Sequence, residues 1–191
     1  MRPIKRLSCG CLMAAAFLLA GCGAGPSSES ATDAEVINWD ILMPPDWQPE
    51  DFLKGLEAEG IDEMGDEDPR AIALMDQLKA EWAKAPLVAE VDGRRVRLVG
   101  FVVPVELGVL EMPAFLLVPY FGACIHTPPP PVNQTIYVVM PQGEVYPGAL
   151  FDTVWVTGTI HVLTNRSPLA AAGYRIDAER VEPYEGELET P

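Results

Sequence analysis

The chain has 191 residues, 28 acidic against 13 basic, and a formal charge of −15. That sign argues against a nucleic-acid partner, because neutralising phosphate needs surplus Lys and Arg. The length suits one domain with a real core.

Arg2, Lys5 and Arg6 precede an apolar run, Leu12 to Ala20. The run is too short to cross a bilayer as a helix and reads as the core of a signal peptide. It ends in Leu19-Ala20-Gly21-Cys22, which matches the bacterial lipoprotein box, with the Cys22 thiol as the lipidation site. Residues 1–21 are therefore expected to be removed, residues 22–38 to form a small, polar, flexible tether, and residues 39–186 to fold as one globular domain. Acyl chains on Cys22 are the expected membrane contact. Gly23, where Asp would signal inner-membrane retention, points to the periplasmic face of a Gram-negative outer membrane.

Processing removes three basic residues and no acidic ones, so 13 − 3 = 10 basic against 28 acidic gives −18. Cys9 and Cys11 leave with the signal, and Cys22 becomes a thioether. Cys124 is then a lone thiol in an oxidising compartment, and no intramolecular disulfide can form.

Residues 39–85 read as a helical front. Trp39 to Trp47 places large apolar groups between prolines and should pack irregularly on the core. Pro49 can open a short helix through Leu56, limited by Gly55 and Gly60. The acidic run Asp62–Asp68 lacks the ligand spacing of an EF-hand and reads as a solvated turn. Asp68-Pro69 is an N-cap followed by an N1 proline, and Ile72, Met75, Leu78 and Trp82 recur at helical spacing through Ala85.

Residues 86–186 read as strands. Leu87–Val91 and Arg94–Val99 flank Asp92-Gly93, which predicts a hairpin. The second strand runs on through Gly100 to Val103, and its glycine predicts a bend or bulge. Ala114–Val118, Thr135–Met140, Thr153–Leu163 and Tyr174–Pro183 are further strands, while Ser167–Gly173 fits a one-turn helix. The expected fold is mainly β with an α-helical N-terminal part, an α+β chain built on a small OB-like Greek-key barrel of five or six strands. A looser α+β sandwich is the alternative.

One loop stands out, Tyr120-Phe-Gly-Ala-Cys-Ile-His-Thr-Pro-Pro-Pro-Pro-Val-Asn-Gln134. It places Cys124 and His126 two residues apart before four prolines, which make a stiff polyproline II rod. A thiol and an imidazole beside a rigid rod mark a candidate binding loop, comprising Cys124, His126, Thr127, Pro128, Pro131, Asn133 and Gln134.

The segment Gly122–Gln134 resembles the hallmark of an uncharacterised family of exported bacterial proteins and lipoproteins that carry a single domain of unknown function. The likeness extends more loosely to Trp39 through the Pro-Pro, to Gly100–Pro104 and to Val156-Thr-Gly158. The resemblance implies an accessory role beside transporter components, including ones that handle transition metals. It supplies no catalytic residues.

Three readings of the loop follow from its chemistry. Cys124 and His126, with His161 as a third donor, can hold a zinc or copper ion. Cys124 with a histidine base, oriented by Asn133 or Asn165, can form a thiol-dependent enzyme. In the third reading Cys124 packs as an apolar group, hydrogen bonds of His126 tie the loop down, Asn133 and Gln134 satisfy carbonyls that the prolines leave without partners, and the rigid loop docks a partner protein of the envelope, such as a transporter component. The favoured expectation is the docking reading, a non-enzymatic accessory module in envelope transport with this loop as its working surface, which can coexist with zinc or copper handling through Cys124 and His126.

Overall fold

The computed structural model describes residues 34–60, 63–65, 67–106, 108–123, 130–167 and 169–186. Six strands form one sheet: β1 (Glu35–Val36), β2 (Arg95–Pro104), β3 (Ala114–Val118), β4 (Ile136–Val139), β5 (Thr153–Arg166) and β6 (Ala171–Pro183). Two helices precede β2, α1 (Pro49–Ala58) and α2 (Pro69–Trp82). The chain is therefore β-rich α+β. No helix among the described residues is long and apolar enough to cross a membrane.

The sheet order is β1-β2-β3-β4-β6-β5, with β2 also paired to β5. The N-terminal half of β2 pairs with β5, Arg95 opposite Thr159, and its C-terminal half pairs with β3, Phe101 opposite Val118. The changeover falls at Gly100, where an added Cβ would meet Val118 O at 2.9 Å. β4 and β6 run parallel. The register of β5 against β6 shifts at Thr157/Gly158, the bulge expected of an internal glycine.

Alternation along the strands separates two apolar layers. Val96, Leu98, Phe115, Leu117, Ile136, Val138, Val156, Tyr174 and Ile176 belong to the main core. Their neighbours Phe101, Val103, Leu116 and Val118 belong to a second layer with Ala123, Ala170 and Ala172. Every residue of β3 is buried, so it is covered on both faces. Its second cover comes from Tyr120 and Ala123, which follow β3, and from Leu169–Ala172.

The helices make a smaller cluster of their own through Leu56, Leu74 and Leu78, joined by Phe52, Met75 and Trp82. Asp68 caps α2 as expected, accepting from Arg70 N at 2.8 Å. The buried face is turned slightly from the expected one. Leu74 and Leu78 are buried, whereas Ile72 is exposed, because an i, i+4 leucine pair meets the first helix. Gly55 lies inside α1 and does not end it.

Four expectations are corrected. Leu87–Val91 is not a strand: Ala89–Val91 is a 3-10 turn that buries Val91. Asp92-Gly93 consequently closes no hairpin. Both edges of the neighbouring stretch of β2 are taken, by β1 and β5, and the Asp-Gly turn bonds sideways instead. Gly93 N donates to Ile160 O at 2.8 Å, and Val162 N donates to Asp92 Oδ1 at 2.9 Å. Ser167–Gly173 is no helix. Ser167 Oγ accepts from Leu169 N and Ala170 N, making the tight turn between β5 and β6, and Ala171 already belongs to β6. Finally, the ordered chain begins before residue 39. Glu35–Val36 pairs in parallel with β2, and Ile37 is buried, so part of the expected tether is inside the fold.

Candidate functional site

Cys22, Cys124, His126, Thr127 and Pro128 lie outside the described residues. The structure describes both ends of the binding loop. At its start Phe121 is 62% exposed and packs edge-on to Phe101 and, at 4.6 Å between ring centroids, against Phe151. Gly122 follows with φ of +85°, a left-handed turn that a Cβ would strain. Ala123 is then fully buried against the outer layer of β2 and β3.

The far end is clamped more firmly. Pro130 and Pro131 are buried, and Val132–Gln134 forms a 3-10 turn in which Gln134 N donates to Pro131 O at 2.8 Å. Asn133 Nδ2 donates to Pro86 O at 3.1 Å. Gln134 Nε2 donates to Trp39 O at 3.0 Å. Thr135 Oγ1 donates to Pro131 O at 3.2 Å, supplying a donor that the prolines themselves lack. Gly173 N donates to Thr135 O at 3.2 Å. An added Cβ at Gly173 would lie 2.6 Å from Val132 O, so this backbone approach needs glycine.

Asn133 and Gln134 therefore face inward and hold backbone carbonyls of distant segments. Asn133 is fully buried, and its Oδ1 has no hydrogen-bond partner among the described residues. A buried open acceptor costs about 1–3 kcal/mol, and the described residues supply no donor for this one. Beside this root lies a pocket of about 160 Å³ lined by Lys79, Trp82, Ala83, Pro130, Val132 and Ala171.

His161 lies on β5, opposite Arg175 of β6. Its Nδ1 is 3.7 Å from Asp92 Oδ1 and its Nε2 is 3.5 Å from Asp177 Oδ2. Carboxylates at opposite ring nitrogens cannot converge with the imidazole on one ion. Among the described residues no group of three or more His, Cys, Asp or Glu is arranged to hold a metal. Asn165, the other candidate orienter, donates to Leu163 O at 3.0 Å on the exposed end of β5.

Sequence reasoning missed the residues that receive the clamp. Trp39 lends its carbonyl to Gln134 and anchors its own ring by donating from Nε1 to Val99 O at 2.8 Å. Thr135 was legible only as the first residue of a strand. The exposed Phe121 carried a signal, a large aromatic beside a glycine at the mouth of the loop.

A family model described as protein of unknown function, DUF3299, matches residues 39–183. A DUF3299 family protein from Pseudomonas aeruginosa PAO1, known from its crystal structure, is 36% identical, with a TM-score of 0.58 over 81% of this chain and 98% of its own. No curated protein matches. The matched stretch takes in both helices, β2 to β6 and the whole binding loop, and the chain belongs to the DUF3299 family.

Proposed function

We propose that the chain is a membrane-anchored periplasmic lipoprotein and a non-enzymatic accessory module of envelope transport, with the Cys124–Gln134 loop as its recognition surface. The observation that carries this reading is the clamped root of the loop. Side chains of Asn133 and Gln134 fix it to Pro86 and Trp39, Thr135 ties Pro131 to the residue before β4, and Ala123 seats its other end. Anchoring both ends reduces the ordering cost of binding. In this reading the loop is the family's hallmark, and Cys22 carries the lipid that holds the domain at the outer membrane. The closed succession of pairings β2-β3-β4-β6-β5-β2 supports an OB-like Greek-key barrel as its scaffold.

The cargo in this reading is a zinc or copper ion taken by Cys124 thiolate and His126 imidazole. His161, already placed between two carboxylates, is the weakest member of that set. Calorimetric titration of the mature protein with zinc or cuprous ion under reducing conditions should show stoichiometric binding. Cys124→Ser with His126→Ala should abolish it, and lowering the pH should weaken it because the thiol must deprotonate. No binding by the wild type removes the metal. The docking part is read by cross-linking in cells from positions around Pro131. It is lost if loop variants keep every cross-link and leave transport intact.

The open Oδ1 of Asn133 also favours a second reading, a thiol-dependent enzyme, since that atom can accept the N–H of a histidine base. Such a Cys124 would react with iodoacetamide at neutral pH much faster than a free thiol. An ordinary rate, unchanged in His126→Ala, excludes it.

A further inference from the structure

Residues 98–165 contain no Lys or Arg, while Glu106, Glu111, Glu144 and Asp152 all fall within them. The fold gathers three of these carboxylates at one edge. Met112 bridges Tyr146, with Met112 N donating to Tyr146 O at 3.1 Å and Tyr146 N to Met112 O at 2.9 Å. The bridge joins the turn between β2 and β3 to the turn after β4. Met112 points into the core, so Glu111 and Pro113 on either side face outward, and Val145 emerges beside Pro113. Leu110 is 71% exposed and Val145 41%, and Glu106, Glu111 and Glu144 are exposed among them. A pocket of about 150 Å³ opens here, lined by Val105, Glu106, Val109, Met112, Pro113 and Ala114. Its walls are apolar except for the one carboxylate.

We propose that this edge is a second docking surface, which takes a basic amphipathic segment of a partner protein. An aliphatic side chain of that segment enters the pocket beside Val109 and Met112, and flanking Lys or Arg side chains meet Glu106, Glu111 and Glu144. Charge complementarity selects this occupant. An anionic lipid surface is repelled by the same carboxylates. A second copy of the chain offers no spare basic face on β2, at its start or on β6. Its Arg94, Arg95, Arg97, Arg175 and Arg180 are already in ion pairs with Glu35, Glu179, Glu182 and Asp177. This surface uses none of the residues of the Cys124–Gln134 loop, so either site can fail alone.

The probe is a synthetic helical Leu/Lys peptide, compared with its Leu/Glu counterpart, against the mature full chain. The Leu/Lys peptide should bind, the Leu/Glu peptide should not, and amide shift changes should map to residues 105–113 and 141–146. Glu106→Lys with Glu111→Lys and Glu144→Lys should weaken binding by about tenfold or more, the effect of reversing several close charge pairs. Leu110→Asp should do the same, while Glu63→Lys with Glu67→Lys, an acidic control elsewhere, should not. If Leu110→Asp proves unfolded by circular dichroism, Leu110→Ser takes its place. Equal binding of both peptides, shifts mapping elsewhere, or insensitivity to the charge reversal overturns the proposal. So does flotation with phosphatidylglycerol vesicles that Leu110→Asp abolishes, or a dimer that it dissociates.

Discussion

The hydroxyl of Tyr174 joins three parts of the chain. It donates to Leu42 O at 2.8 Å and accepts from Val88 N at 2.8 Å, in a fully buried position. Tyr174→Phe leaves the buried Leu42 carbonyl and the half-buried Val88 N–H without these partners, so it should cost about 1–3 kcal/mol, read as a lower urea midpoint at neutral pH. Burial raises the Tyr174 pKa above 10.0, against a smaller lowering by the Val88 N–H. Burial, then the hydrogen bond and charge of Asp152, raise that of Tyr146. Both residues thus hold their protons more tightly when folded. Their contribution to stability is complete below the unfolded phenol pKa of about 10 and is lost as pH rises through the folded values. Urea midpoints should fall above about pH 10, and less steeply in Tyr146→Phe and Tyr174→Phe. At the loop root, Gln134→Ala orphans Trp39 O and should cost about 1–2 kcal/mol, lowering the melting temperature by a few degrees.

Among the elements, β6 carries the sharpest test. Gly173 lies against Val132 O and the Leu87 side chain. Gly173→Val must displace the loop root or the strand, and we expect a loss of about 2–4 kcal/mol with accelerated amide exchange at residues 132–135. An unchanged melting temperature would show that the approach is looser than described. The same glycine explains a limit of sequence reading. Ser167 before a small-residue run ending in Gly173 has the marks of a capped helical turn. The hydroxyl does cap two N–H groups, but the strands on either side pair with each other and turn the cap into a hairpin. Asp92-Gly93 misled in the opposite direction, since a hairpin signal cannot say that the neighbouring strand is already paired on both edges. Where local chemistry decided alone, the reading held. Asp68-Pro69 opened α2, and the continuous apolar run Ala114–Val118 became a strand buried on both faces. In the loop, Thr135 serves the Pro131 carbonyl, the role that the sequence suggests for Asn133 and Gln134. Their partners, 47 and 95 residues away, could not be read from the sequence, because only the fold brings them near.

For the whole molecule, charge and its distribution set the expectations. A charge of −15, or −18 once the proposed signal with its three basic residues is removed (10 basic against 28 acidic), should prevent tight binding to oligonucleotides at moderate salt. Fluorescence anisotropy with a single-stranded probe checks this, and nanomolar binding would contradict it. Cys22→Ala should release the protein from the membrane fraction, because in the proposed reading the acyl chains on Cys22 are its membrane contact. Continued quantitative membrane association without acylation would reject the lipid anchor.

The seating of the N-terminal segment has a mechanical meaning. Any pull arriving along the chain from its N-terminal side first loads the short parallel pair Glu35–Val36 against Val96–Arg97. It next loads Trp39, whose ring is moored to Val99 and whose carbonyl is held by Gln134. Tension therefore passes to the root of the binding loop through Trp39 and, through β2, to its partner strand β5. Trp39 is thus the common fixing point through which the N-terminal segment would pull on the loop root and on β2 at once.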